Sequence, residues 1–135
     1  MIASLNYIHI LVAALAYFII GALWYSVLFQ KPWMAAIGAK APTEEAKKGM
    51  PLMFAITFVL NFVICFAVAV VLHFVQPMSI VPAVKVGALL GACFVGTSCA
   101  MNNMYAQRPV VLTLIDAGYH VAGIIMTSVL LTLWH

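Results

Sequence analysis

The chain is expected to be an all-α membrane protein: one integral domain, residues 1–135, forming an oligomeric antiparallel bundle of four transmembrane helices. Three observations predict this. Hydrophobic residues fill 67% of the 135 positions and charged ones only 7%, where a soluble domain carries about 25%. All charged residues but Asp116 fall in short polar connections. Between those connections lie four apolar stretches, each long enough at about 1.5 Å per residue to cross roughly 30 Å of hydrocarbon. The lipid bilayer is therefore the first partner. A net charge of +3, scattered along the chain, does not make a nucleic-acid surface.

The first span is expected at about 5–29. Its apolar run is too long for a signal-peptide core and has no basic lead, so it reads as a retained span. At 100° per residue, Asn6, Ala13, Tyr17, Gly21 and Trp24 share one stripe, with His9 at its edge. Leu11, Leu15 and Phe18 point elsewhere, toward lipid. Trp24 and Tyr25, near the far end, suit a membrane boundary. The connection at 30–49 carries the Lys31-Pro32-Trp33-Met34 anchor and then a helix start, with Pro42, a capping Thr43 and the acids Glu44 and Glu45 in the positive first turn.

The second span is expected at about 50–75, with Thr57, Asn61 and Cys65 one turn apart in series. Gln76 to Lys85 reads as a turn broken by Pro77 and Pro82. The third span, about 86–106, carries Gly87 and Gly91 in a GxxxG arrangement, with Ser98, Asn102 and Tyr105 on the same side. That pattern lets backbones approach closely in lipid, and the two glycines are candidates for a contact between copies. The fourth span, about 109–134, opens on Pro109, a residue suited to a first helical turn. Thr113, Asp116, His120, Gly123 and Thr127 form one stripe there, opposite Val111, Leu114, Ile125 and Val129. It is the sharpest amphipathic pattern in the chain.

Lys31, Lys40, Lys47, Lys48 and Arg108 fall in the first and third connections, and Lys85 alone in the second. The positive-inside rule then places the first and third connections in the cytoplasm and both termini outside.

Several segments carry a resemblance: GALWYS at 21–26, KPWM at 31–34 and NNMYAQRPVVLTLIDAGYH at 102–120. With these the chain resembles a family of small bacterial membrane proteins catalogued as domain of unknown function 1761. The resemblance spans nearly the whole chain and implies a four-span fold in a bacterial inner membrane, without an assigned activity. A proline often follows Trp-Tyr-Ser in that family. Val27 stands there in this chain, so a kink at that point lacks its usual cause.

Function is expected where polar groups sit inside the spans. An acid and an imidazole are costly in hydrocarbon, so Asp116 and His120, one turn apart, mark the candidate site. Asn61, Asn102, Tyr119, Arg108, Trp24 and Tyr17 are its expected neighbours, and Gly87, Gly91 and Gly123 the packing positions. Asp116 lies roughly 10 Å and His120 roughly 16 Å from the cytoplasmic helix end. The leading reading is a small transporter or channel in which Asp116, assisted by His120, exchanges a proton. An accessory subunit held in register by a polar network is the second. A membrane enzyme using the pair as acid and base on a lipid-like substrate is the third. The ligand is accordingly a small solute or a lipid, and a homo-oligomer would supply the route, because four helices pack into a solid bundle. No cofactor is expected. No metal site is expected either: Cys65, Cys93 and Cys99 lack zinc spacing, and His9, His73 and His135 read as interfacial rings at the outer boundary.

Overall fold

The structure, a computed structural model, describes residues 2–38 and 43–134; Lys40, Pro42 and His135 lie outside the described residues. After a short 3-10 turn at Ile2–Ser4 come five helices among the described residues: α1 (Tyr7–Leu28), α2 (Gln30–Ile37), α3 (Glu44–Val75), α4 (Ile80–Tyr105) and α5 (Val110–Leu133). All but α2 are long and apolar enough to cross a membrane.

Local chemistry sets the boundaries. The Asn6 side chain caps α1 by accepting from the backbone N–H of Ile8 and His9. Thr43 caps α3 through the N–H of Ala46, and Glu44 and Glu45 occupy the first turn as expected. With 32 residues α3 is about 48 Å long, well beyond the hydrocarbon thickness, so one end must stand in water. Its charged first turns suit that end. α4 begins at Ile80, earlier than the expected start near 86. Pro82 therefore sits in a first helical turn, where its missing N–H would have had no partner anyway.

Two of the spanning helices are not regular. In α1 the backbone widens to i→i+5 bonding over Trp24–Leu28, and the Phe29 N–H reaches the Trp24 carbonyl at 2.9 Å. α4 widens in the same way over Leu89–Gly96. The Thr97 hydroxyl donates to the carbonyls of Cys93 (2.7 Å) and Phe94 (3.1 Å), and the Ser98 hydroxyl to Phe94 (2.7 Å). Such bonds matter in lipid, where no water can serve a loosened carbonyl. At the first wide turn the Ser26 hydroxyl donates to the Ala22 carbonyl in the same role. The irregularity after Trp24 thus forms without the proline that often follows this motif.

α5 is the hub and touches every other helix. α1 packs on both α3 and α5, whereas α4 rests almost wholly on α5. Phe18, expected to face lipid, instead packs edge-to-face on Phe54 and Phe58 of α3, with centroids 6.3 and 6.1 Å away. Leu11 and Leu15 are exposed. Gly87 and Gly91 were candidates for a contact between copies, but they are used inside the chain. A Cβ on Gly87 would stand 2.6 Å from the Ile125 Cα, and one on Gly91 2.9 Å from the Val121 Cα. The backbones of α4 and α5 therefore touch, and only glycine fits between them.

Candidate functional site

The polar side chains of the spans gather where α1 crosses α5, with α3 behind. Tyr17 is fully buried, and its hydroxyl lies 2.7 Å from Nδ1 of His120. The Tyr25 hydroxyl donates to Oδ1 of Asp116 at 2.6 Å. Between these two bonds sits Tyr119, its ring against those of Tyr17 (5.2 Å), Tyr25 (5.5 Å) and His120 (4.7 Å). Its hydroxyl meets the amide of Asn61 at 3.4 Å from Nδ2, a long and weak contact across to α3. Trp24 donates from Nε1 to the backbone carbonyl of Ile115 at 3.0 Å. One turn further along α3, Cys65 lies 3.5 Å from the Thr127 hydroxyl, which donates to the Gly123 carbonyl at 2.8 Å.

The rings fit because glycines make room for them. A Cβ on Gly123 would lie 2.6 Å from the Tyr17 ring, one on Gly21 2.9 Å from the Tyr119 hydroxyl, and one on Gly118 3.1 Å from the Trp24 ring. Each aromatic residue thus enters a notch on the opposing helix. In lipid, where apolar burial drives no association, that close packing and the hydrogen bonds hold α1 on α5.

Asp116 and His120 are half-buried, not sealed as a sequestered pair. No hydrogen bond joins them; a tyrosine from α1 holds each one. Tyr25 is the one hydrogen-bond donor to Asp116 among the described residues, although a carboxylate has about four acceptor sites. No cation neutralises it, since the one ion pair among the described residues is Lys47–Glu44 at 3.5 Å. Arg108 is exposed in the turn before α5 and makes no such pair with Asp116.

Tyr17, Trp24, Asn61, Asp116, Tyr119 and His120 are therefore neighbours, as the sequence suggested. Asn102 and Arg108 are not. Asn102 is exposed, and the adjacent Asn103 makes the contact to α5, donating to the Thr113 hydroxyl at 3.0 Å. Tyr25, expected only as a boundary ring, is the residue that sequence reasoning missed. Its ring also meets Trp33 of α2 at 5.3 Å, which ties the site to that short helix. Of the boundary histidines, His9 lies tilted against Trp134 with centroids 4.8 Å apart, and His73 meets Phe74 edge-to-face at 5.9 Å. No group of three or more His, Cys, Asp or Glu side chains among the described residues is placed to hold a metal ion.

Two shallow clefts open at the bundle ends, and neither is lined by Asp116 or His120. One, of about 580 Å³, lies between Pro77–Val81 and Thr132–Leu133. The other, of about 280 Å³, lies between Phe29, Pro32, Val111, Leu114 and Ile115.

Compared with known proteins, residues 8–132 match the family model described as a protein of unknown function (DUF1761), and the chain belongs to that family. No curated protein and no solved structure matches it.

Proposed function

We propose that this member of the family is a small transport protein whose proton-linked element is Asp116, with His120 as its neighbour one turn deeper. The observation that carries this reading is the state of the carboxyl group. It stands in an apolar helix, half open, with one neutral hydrogen-bond donor and no counter-charge among the described residues. A carboxylate so placed has lost much of its hydration with little in return, and the remedy is a proton or an arriving cation. Cyclic gain and loss of that proton is what a coupled transporter needs. Because the four helices pack closely, the reading includes a homo-oligomer whose copies enclose the route. It also keeps the orientation set by the basic residues, with Asp116 nearer the cytoplasmic face.

The test uses the purified chain in proteoliposomes that contain a pH-sensitive dye. An imposed potential should drive protein-dependent proton uptake, and Asp116→Asn should abolish it while leaving detergent mass and thermal stability close to wild type. Unchanged uptake in that variant would end the transport reading. A second reading, an accessory subunit whose polar contacts fix helix register, draws on the notched fit of Tyr17, Trp24 and Tyr119. It requires Asp116→Asn to alter stability and nothing else.

A further inference from the structure

Beside the site, but not part of it, lies the apolar cleft between Phe29, Pro32, Val111, Leu114 and Ile115. It forms where the start of α2 comes against the first turns of α5, and α2 does contact α5. Leu114 is 68% exposed and Val111 48%, so two of its walls present bare hydrocarbon. At about 280 Å³ the cleft falls at the lower edge of small-molecule pockets, which run from about 300 to 1,000 Å³. It has room for a length of acyl chain, not for a whole lipid.

The exposed charges beside its lining segments in the chain are both positive, and the acid that adjoins Ile115, Asp116, is bonded to Tyr25. Lys31 adjoins Pro32 in the chain, and Arg108 and Pro109 lead into the turn that carries Val111. Both basic residues are exposed, and neither forms an ion pair among the described residues. The acids cannot serve them: Glu44 is taken by Lys47, Glu45 is on the same exposed turn of α3, and Asp116 is bonded to Tyr25. Lys85 is the contrasting case. It precedes Gly87, which lies against Ile125, so it belongs to the opposite end of α5.

We infer that this cleft is a binding site for an anionic phospholipid, one acyl chain lying between Pro32 and Leu114 and the phosphate lying between Lys31 and Arg108. Complementary charge selects the headgroup, and the apolar walls fix where the tail enters. Basic side chains next to an apolar inter-helix cleft are the combination that retains acidic lipids. The site stands independently of the transport reading. It adjoins it physically, since the Ile115 carbonyl accepts from Trp24 and the next residue is Asp116.

The experiment measures retention of phosphatidylglycerol against phosphatidylcholine by the full chain, by native mass spectrometry after extraction from vesicles containing both. Wild type should retain phosphatidylglycerol preferentially. Lys31→Gln and Arg108→Gln should each weaken retention about fivefold, and together about thirtyfold, at the usual worth of a basic residue near an anionic surface. Lys85→Gln should leave the preference intact. Leu114→Trp, which fills the cleft and keeps both charges, should weaken retention and protects the test if the double variant folds poorly. Equal retention of the two lipids by wild type would overturn the site. So would a loss with Lys85→Gln as large as with Arg108→Gln, because the attraction would then be that of any cationic protein. Unaltered retention in Leu114→Trp would overturn it as well.

Discussion

The two faces of α5 are packed on different principles. Toward α4 the middle of the contact is made by backbone, Gly87 on Ile125 and Gly91 on Val121, with little room for anything larger than hydrogen, and the Asn103–Thr113 hydrogen bond lies at one end. Toward α1 the glycines receive aromatic rings instead; one of these, Tyr17, brings its hydroxyl to His120, and Tyr25, next to the seated Trp24, brings another to Asp116. The first arrangement can hold helices together but has no chemistry. The second holds them together and leaves two ionisable groups half open. The two ionisable groups thus sit on one seam, and glycines close the middle of the other.

Alanine at the glycines should break this contrast most sharply. At Gly87 the added Cβ meets the Ile125 Cα, and a backbone atom cannot move without displacing the helix. Gly87→Ala should therefore cost about 3 kcal/mol, the upper end of overpacking, or prevent assembly. At Gly123 the obstacle is the ring of Tyr17, a side chain with some freedom but fully buried. Gly123→Ala should cost about 1–2 kcal/mol and disturb the Tyr17–His120 bond. Thermal unfolding in detergent ranks the two, and the reverse order would mean that α4 is the looser partner.

On the α1 seam, the two tyrosine hydroxyls should separate by the charge of their partners. Tyr25→Phe removes the one donor to Asp116 and should cost about 1.5 kcal/mol, near the largest value for hydrogen bonds between membrane helices. Tyr17→Phe removes a bond to an imidazole and should cost about 0.6 kcal/mol, the average value. Thermal unfolding of the two single variants in detergent checks the order, and equal losses would show that the kind of partner does not set the worth of the bond.

The fold was legible because lipid imposes it: a span needs about twenty apolar residues, and charge is costly inside one. The site was legible in part for the same reason, since Asp116 and His120 are conspicuous where everything else is hydrocarbon. What failed was phase. Stripes drawn at 100° per residue assume a regular helix, and i→i+5 bonding takes an extra residue per turn. The wide turn at Leu89–Gly96 precedes the asparagine pair, and Asn103 rather than Asn102 meets Thr113. The wide turn beginning at Trp24 likewise brings Trp24 and Tyr25, adjacent in the chain, both onto α5. Nothing in the residue types announced either shift. The Trp-Tyr-Ser segment was the only marker, and without its usual proline it pointed to no break.

The smallest expected effect concerns neighbours on α5 that fall on opposite sides of the contrast. Thr127 and Ser128 are both fully buried. Thr127 faces the polar seam, bonded to the Gly123 carbonyl and close to Cys65. Ser128 faces α4 beside Gly87, and its hydroxyl has no hydrogen-bond partner among the described residues. A buried hydroxyl without a partner gives nothing back for its lost hydration, so removing it should be close to neutral, whereas removing a bonded one should cost. Ser128→Ala should accordingly leave stability within about 0.5 kcal/mol of wild type or raise it, and Thr127→Ala should lose about 1 kcal/mol. Unfolding midpoints of the two single variants decide it. If Ser128→Ala loses as much as Thr127→Ala, that hydroxyl has a partner, such as the Ile124 carbonyl one turn back, and the contrast between the two faces of α5 would fall.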